Sequence, residues 1–138
     1  MKTYKEIKTW IERRIERRNQ ELISIASSAY HTDNVISNKL AVNMLKNHFE
    51  TIYRAQYEMT QYMILLERIE SYESDNLPEA VLTCQVIGEL DCLKTSLKHE
   101  LLNKESMPST TNLHFNLCGL WETEVHKKMI RDISSLIK

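Results

Sequence analysis

The chain is poor in glycine and proline, with two of each among 138 residues: Gly88 and Gly119, Pro78 and Pro108. The tight turns of all-β and doubly wound α/β folds draw on those residues, so both classes are disfavoured. Neither GxGxxG nor GxxxxGK[ST] occurs, which removes the phosphate-cradling loops. Cysteine is scarce, at three: Cys84, Cys92 and Cys118. An odd count with no short-spaced pair favours reduced thiols. Cys84 and Cys92 lie two helical turns apart, about 12 Å of rise, too far for a disulfide on one straight helix. Long hydrophobic runs are missing as well. The longest is Tyr62-Met63-Ile64-Leu65-Leu66, against the roughly 20 residues that span a bilayer. The first residues, MKTYKEIKTWIERRIERR, are charged at short intervals. They offer no apolar h-region, so no signal peptide, no membrane association and a cytoplasmic location are expected. Charge of one sign is lacking overall: 18 basic residues meet 19 acidic ones, for a net charge of −1.

What is present reads as helix. Apolar residues make up 42% of the chain, enough for a core, and the length suits one domain over 1–138. Thr3 and Glu6 form a capping-box pattern opening a helix over about 4–30, with Tyr4, Ile7, Ile11, Ile15 and Leu22 on one stripe. A turn is expected at 31–34. A second helix over about 35–72 carries Leu45, Phe49, Ile52, Met59, Met63 and Leu66 near one face. Pro78 suits the first turn of a third helix, and Asn76 with Glu79 resembles a second capping box. The third stripe is Leu82, Val86, Leu90, Leu93, Leu97 and Leu101, ending near Asn103. After a loop over 104–112, a fourth helix starts between Leu113 and Leu120 and runs to Ile137. Its stripe is Leu117, Trp121, Val125, Met129, Ile133 and Leu136. The expected fold is all-α: a four-helix antiparallel bundle-like domain with a long second helix. That helix would reach about 55 Å. Its protruding stripe needs cover, which a second copy of the chain would supply by dimerisation.

Four features carry functional expectations. Residues 1–18 hold seven basic side chains against three glutamates, a local +4, which leaves −5 for the remainder. Arg13, Arg17 and Lys2 sit nearly opposite the isoleucine stripe, Trp10 lies on the flank between the two faces, and Arg18 interrupts the stripe itself. Such a face is a solvated surface, a docking site for a protein, a phosphate-contacting face with an aromatic for stacking, or a face lying on anionic lipid. The acidic stretch Glu67, Glu70, Glu73, Asp75 and Glu79 closes helix 2 and opens helix 3, where it is either a solvated turn or a partner for the basic end. Cys84, Gly88, Cys92 and Ser96 are small and spaced by four, which makes a ridge for close helix packing, within the chain or against another. Tyr53, Tyr57, Met59, Tyr62 and Met63 suit either a core or a binding face.

Catalytic signatures are not found. CxxC, HExxH and Glu-x-x-His are absent, and Glu122 with His126 is at most half a metal site. No cofactor, no metal and no enzymatic activity are expected. Size, helicity and mixed charge are shared with adaptors, assembly chaperones and the inhibitors that phages or mobile elements direct at host machinery. The expected function is therefore a non-enzymatic protein-binding module acting through helix faces, and a homo-oligomer. Trp10, Arg13, Arg14, Arg17, Tyr53, Tyr57 and Tyr62 are the expected partner-binding residues, because aromatic and arginine side chains anchor interfaces. The alternative is a nucleic-acid-binding accessory subunit using the basic face of the first helix.

Overall fold

Thr3 opens the first helix as its pattern requires. Its N–H donates to Glu6 Oε2 at 2.8 Å, and the Glu6 N–H donates back to Thr3 Oγ1 at 3.3 Å. Two of the N–H groups that a helix start leaves open are thereby satisfied. A third, that of Tyr4, donates to Thr83 Oγ1 at 3.2 Å and ties the start of this helix to the third one. The computed structural model describes residues 2–32, 38–106 and 113–138, with side chains for 2–27, 48–104 and 117–138. Among these residues there are four helices and no strand: α1 (Tyr4–Thr32), α2 (Asn38–Glu73), α3 (Glu79–Ser106) and α4 (Leu113–Leu136). Of the expected turn at 31–34 and loop at 104–112, residues 31–32 continue α1 and 104–106 continue α3, and the rest lie outside the described residues, as does the side chain of Leu45 of the second stripe.

The turn between α2 and α3 departs from the second capping box. Asn76 has φ 54°, a left-handed conformation that asparagine tolerates and that ends helices. It therefore closes α2, where Ser74 N–H reaches Glu70 O and Asp75 N–H reaches Tyr72 O, each at 3.2 Å. Pro78 stands just before α3, and its carbonyl accepts from Val81 and Leu82 N–H at 3.0 Å.

One apolar cluster takes side chains from all four helices. Tyr4, Ile7 and Ile11 enter from α1; Leu82, Val86, Leu90 and Leu97 from α3; Val125, Met129, Ile133 and Leu136 from α4. These belong to the expected stripes, of which Ile15, Leu22, Leu93 and Leu101 are only half-buried and Leu117 is exposed. The buried face of α2 departs from its expected stripe. Ala55, Glu58, Tyr62, Leu65 and Ile69 point inward, while Met63 remains 46% exposed and Ile64 47%. Both sides of α2 carry apolar residues. The inward side also holds a glutamate, so a hydrophobic count favours the wrong face.

Cross-helix pairs fix the packing. Along α1 and α2, Lys8 meets Glu73 at 2.7 Å and Arg18 meets Glu58 at 3.3 Å. Along α2 and α4, Tyr53 meets Glu122 and Tyr57 meets His126, each at 2.5 Å. Along α3 and α4, Lys104 pairs with Glu122 and Glu100 lies 3.3 Å from His126. The broadest contacts join α1 with α2 and α3 with α4, a bundle-like packing. No helix of the described residues is long and apolar enough to cross a membrane.

Candidate functional site

The capping box and isoleucine stripe of α1 set which of its cations face outward. Three are consumed within the fold: Lys8 by Glu73, Arg14 by Asp132 at 3.1 Å, and Arg18 by Glu58 and Glu21. Lys2, Lys5, Arg13 and Arg17 are exposed and form no salt bridge with a described residue. Trp10 is half-buried. Its ring meets Tyr62 edge-on at 5.6 Å, and the Arg14 guanidinium covers it at 4.7 Å. The expected quartet therefore divides. Arg13 and Arg17 stay available, while Trp10 and Arg14 are engaged with α2 and α4.

The tyrosines of α2 make contacts within the fold, and Tyr53 and Tyr57 remain half-buried. Tyr62 is completely buried. Burial raises its pKa, reinforced by Glu58 and Asp132 against the opposing Arg14 and Arg18. Tyr53 donates to Glu122, which raises its pKa first through that hydrogen bond and then through burial. Its ring stands 5.8 Å from Trp121. Tyr57 meets His126, and burial followed by the charges of Glu100 and Glu122 raises its pKa. All three tyrosines join α2 to its neighbours, because α2 turns 55, 58, 62, 65 and 69 toward the core.

His126 is the titratable group that the sequence did not mark as interior. It is fully buried, its Nδ1 has no hydrogen-bond partner, and its Nε2 lies between Tyr57 and Glu100. Burial lowers its pKa, helped by Lys104 and opposed by Glu100 and Glu122. The ring is therefore neutral near pH 7 and its approach to Glu100 is not an ion pair. Glu122 is pulled both ways: burial raises its pKa, but hydrogen bonds from Lys104 and Tyr53 outweigh it, so the net direction is down. Neither His126 nor Tyr57 lines any of the described grooves. Among the described residues no three metal-ligating side chains come together.

The small-residue ridge stands away from the core. Cys84, Gly88, Cys92 and Ser96 are all exposed, and a Cβ built on Gly88 would meet nothing within 4 Å. Close approach within the chain therefore does not occur along this ridge, because α3 buries its leucine stripe on another side. Beside the ridge runs a groove of about 260 Å³ whose walls include Ile64 of α2 and Cys92 and Ser96 of α3. Its end is framed by Arg68 and Glu89, 2.9 Å apart. Glu89 also accepts from Tyr72 at 2.5 Å, and the bonds from Tyr72 and Arg68 lower its pKa. Met63, Ile64 and Val81 add exposed apolar surface on these two helices.

A second basic surface went unnoticed in the sequence. Lys127, Lys128 and Arg131 line the outer side of α4 together with Arg54 and Lys98. The signal was the run His126-Lys127-Lys128-Met129-Ile130-Arg131, hidden by the acidic balance of everything beyond residue 18. Comparison of the chain with protein families, with curated proteins and with solved structures finds no match.

Proposed function

We propose that the protein is a non-enzymatic helical protein-binding module of the adaptor, assembly-chaperone or inhibitor type, and that it works as a homodimer. In this reading consecutive helices run antiparallel in one bundle, and the outer face of α2 and α3 receives a helix of the second copy. One observation carries it: four small residues spaced by four lie open on α3, and Ile64 of α2 beside them is 47% exposed. A glycine in mid-helix costs about 1 kcal/mol against alanine. No described residue uses the space it leaves, and a close-packing helix from outside would. Sedimentation equilibrium across micromolar concentrations tests this. A dimer is expected, and Gly88→Arg should convert it to a folded monomer. A wild-type chain that stays monomeric throughout removes the proposal.

Nucleic acid binding by α1 is the second reading, supported by the exposed Lys2, Lys5, Arg13 and Arg17. It loses its stacking group, since Trp10 is engaged with Tyr62 and Arg14. Retention of an oligonucleotide at low salt, unchanged in Arg13→Glu/Arg17→Glu, would eliminate it.

A further inference from the structure

The outer face of α4 forms an open groove of about 710 Å³, separate from the α2–α3 face and sharing no lining residue with it. Five cations border it: Arg54 from α2, Lys98 from α3, and Lys127, Lys128 and Arg131 from α4. One carboxylate borders it, Glu124, and that is already paired with Arg54. Lys128 leans inward toward Glu58, with Nζ 3.4 Å from the carboxylate. Lys98, Lys127 and Arg131 are exposed and form no salt bridge with a described residue. A chain of net charge −1 thus gathers cations of three helices around one groove, and such a field selects anionic partners.

The remainder of the lining decides which anion. Between the cations stand Leu101 and Ile130, both aliphatic, and no aromatic side chain borders the groove. Unpaired nucleobases are held largely by aromatic stacking, which this groove lacks. A small inorganic anion would leave the aliphatic floor unused. An amphipathic helix meets both requirements: its apolar residues lie on Leu101, Ile130 and the lysine stems, while flanking carboxylates reach the cationic heads. We infer that the α4 groove is the docking site for an acidic amphipathic helix of a partner protein. The three exposed cations set its charge preference and association rate, and the aliphatic floor sets the spacing of its apolar residues. This site is additional to the self-association proposed above, and it stands if the protein proves monomeric.

The test uses the full chain and four labelled probes in fluorescence anisotropy. They are an 18-residue helix-forming peptide with leucines at i, i+3, i+4 and i+7 among glutamates, the same composition scrambled, oligoglutamate of equal length, and a single-stranded oligonucleotide of equal charge. The expected result is saturable binding of the amphipathic peptide, weakening as salt rises. It should be at least about tenfold tighter than the scrambled peptide or oligoglutamate. The Lys98→Glu/Lys127→Glu/Arg131→Glu variant changes only exposed side chains and should keep its helical content while losing about tenfold or more in affinity. The proposal is overturned if the peptide does not bind, if oligoglutamate binds as tightly, if the oligonucleotide binds more tightly, or if the triple variant binds unchanged. Gly88→Arg should leave peptide binding intact, so that loss of the dimer and loss of this site are read separately.

Discussion

Replacing Arg18 by methionine perturbs the one deeply buried carboxylate among the described residues. The Glu58 side chain is 3% exposed, with Arg18 Nε at 3.3 Å and Lys128 Nζ at 3.4 Å. Arg18 Nε is not aligned for a hydrogen bond, so its contribution is chiefly Coulombic. At an effective dielectric near 20, each such pair is attracted by about 5 kcal/mol, most of it offset by desolvation of both charges. Removing one partner of a buried pair costs about 3–5 kcal/mol when the survivor is left alone. Here Lys128 remains, though more exposed and better screened, so Arg18→Met should destabilise by about 2–3 kcal/mol. With a urea slope of about 2 kcal/mol/M, the midpoint should fall by about 1–1.5 M. The double variant Arg18→Met/Glu58→Leu removes the buried charge altogether and should recover to within about 1 kcal/mol of wild type. Lys128 is 36% exposed and can turn its ammonium to water. The assay is urea unfolding followed by far-ultraviolet circular dichroism at fixed protein concentration. A single variant within about 0.5 kcal/mol of wild type would refute the reasoning, as would a double variant no more stable than the single one. The result bears on function, because Lys128 both holds Glu58 and borders the basic groove of α4.

Three further outcomes follow from the same geometry. The Tyr62 hydroxyl is buried with no hydrogen-bond partner. Tyr62→Phe should therefore be neutral or stabilising in thermal melts, whereas Tyr62→Ala should cost about 3–5 kcal/mol for the vacated volume. Burial holds His126 below its ordinary 6.5, so the unfolded chain takes up a proton there that the folded chain refuses. Stability should then fall as pH drops below 6.5, levelling at the lowered pKa, and His126→Phe should have a shallower loss between about pH 7 and 5. A steeper or unchanged slope in the variant would count against this. Gly88 has a negative φ and open space around it, so Gly88→Ala should stabilise the isolated chain by about 0.5–1 kcal/mol in urea titrations.

Legibility followed the range of the forces involved. The Thr3–Glu6 box was readable because both hydrogen bonds lie within one turn. The stripes of α1, α3 and α4 were readable because their buried aliphatic residues recur at three- and four-residue steps. On α2 the same reading selected Met59 and Met63 and passed over Ala55, Glu58 and Ile69. A buried glutamate breaks the pattern, and only its partners on α1 and α4 make that position tolerable. The Asn76–Glu79 box failed because an asparagine that ends one helix and one that starts the next look alike in sequence. The tyrosines of α2 and the quartet Trp10, Arg13, Arg14 and Arg17 of α1 were legible as residue types but not as roles. The wheel could not say that Arg14 would find Asp132 or that Tyr57 would find His126.

The amino-acid order alone decided how many helices form, near which residues they begin and end, and where the aliphatic repeat runs along three of them. Those properties come from capping, periodicity and the near absence of glycine and proline, all of which act over a few residues. Packing decided the inward face of α2, the burial of Tyr62 and His126, the outward turn of the Cys84–Ser96 ridge and the gathering of cations on α4. Residues as far apart as Tyr4 and Thr83, or Lys8 and Glu73, meet only after the helices have docked. Desolvation then determines which charges are consumed within the fold and which remain to meet a partner.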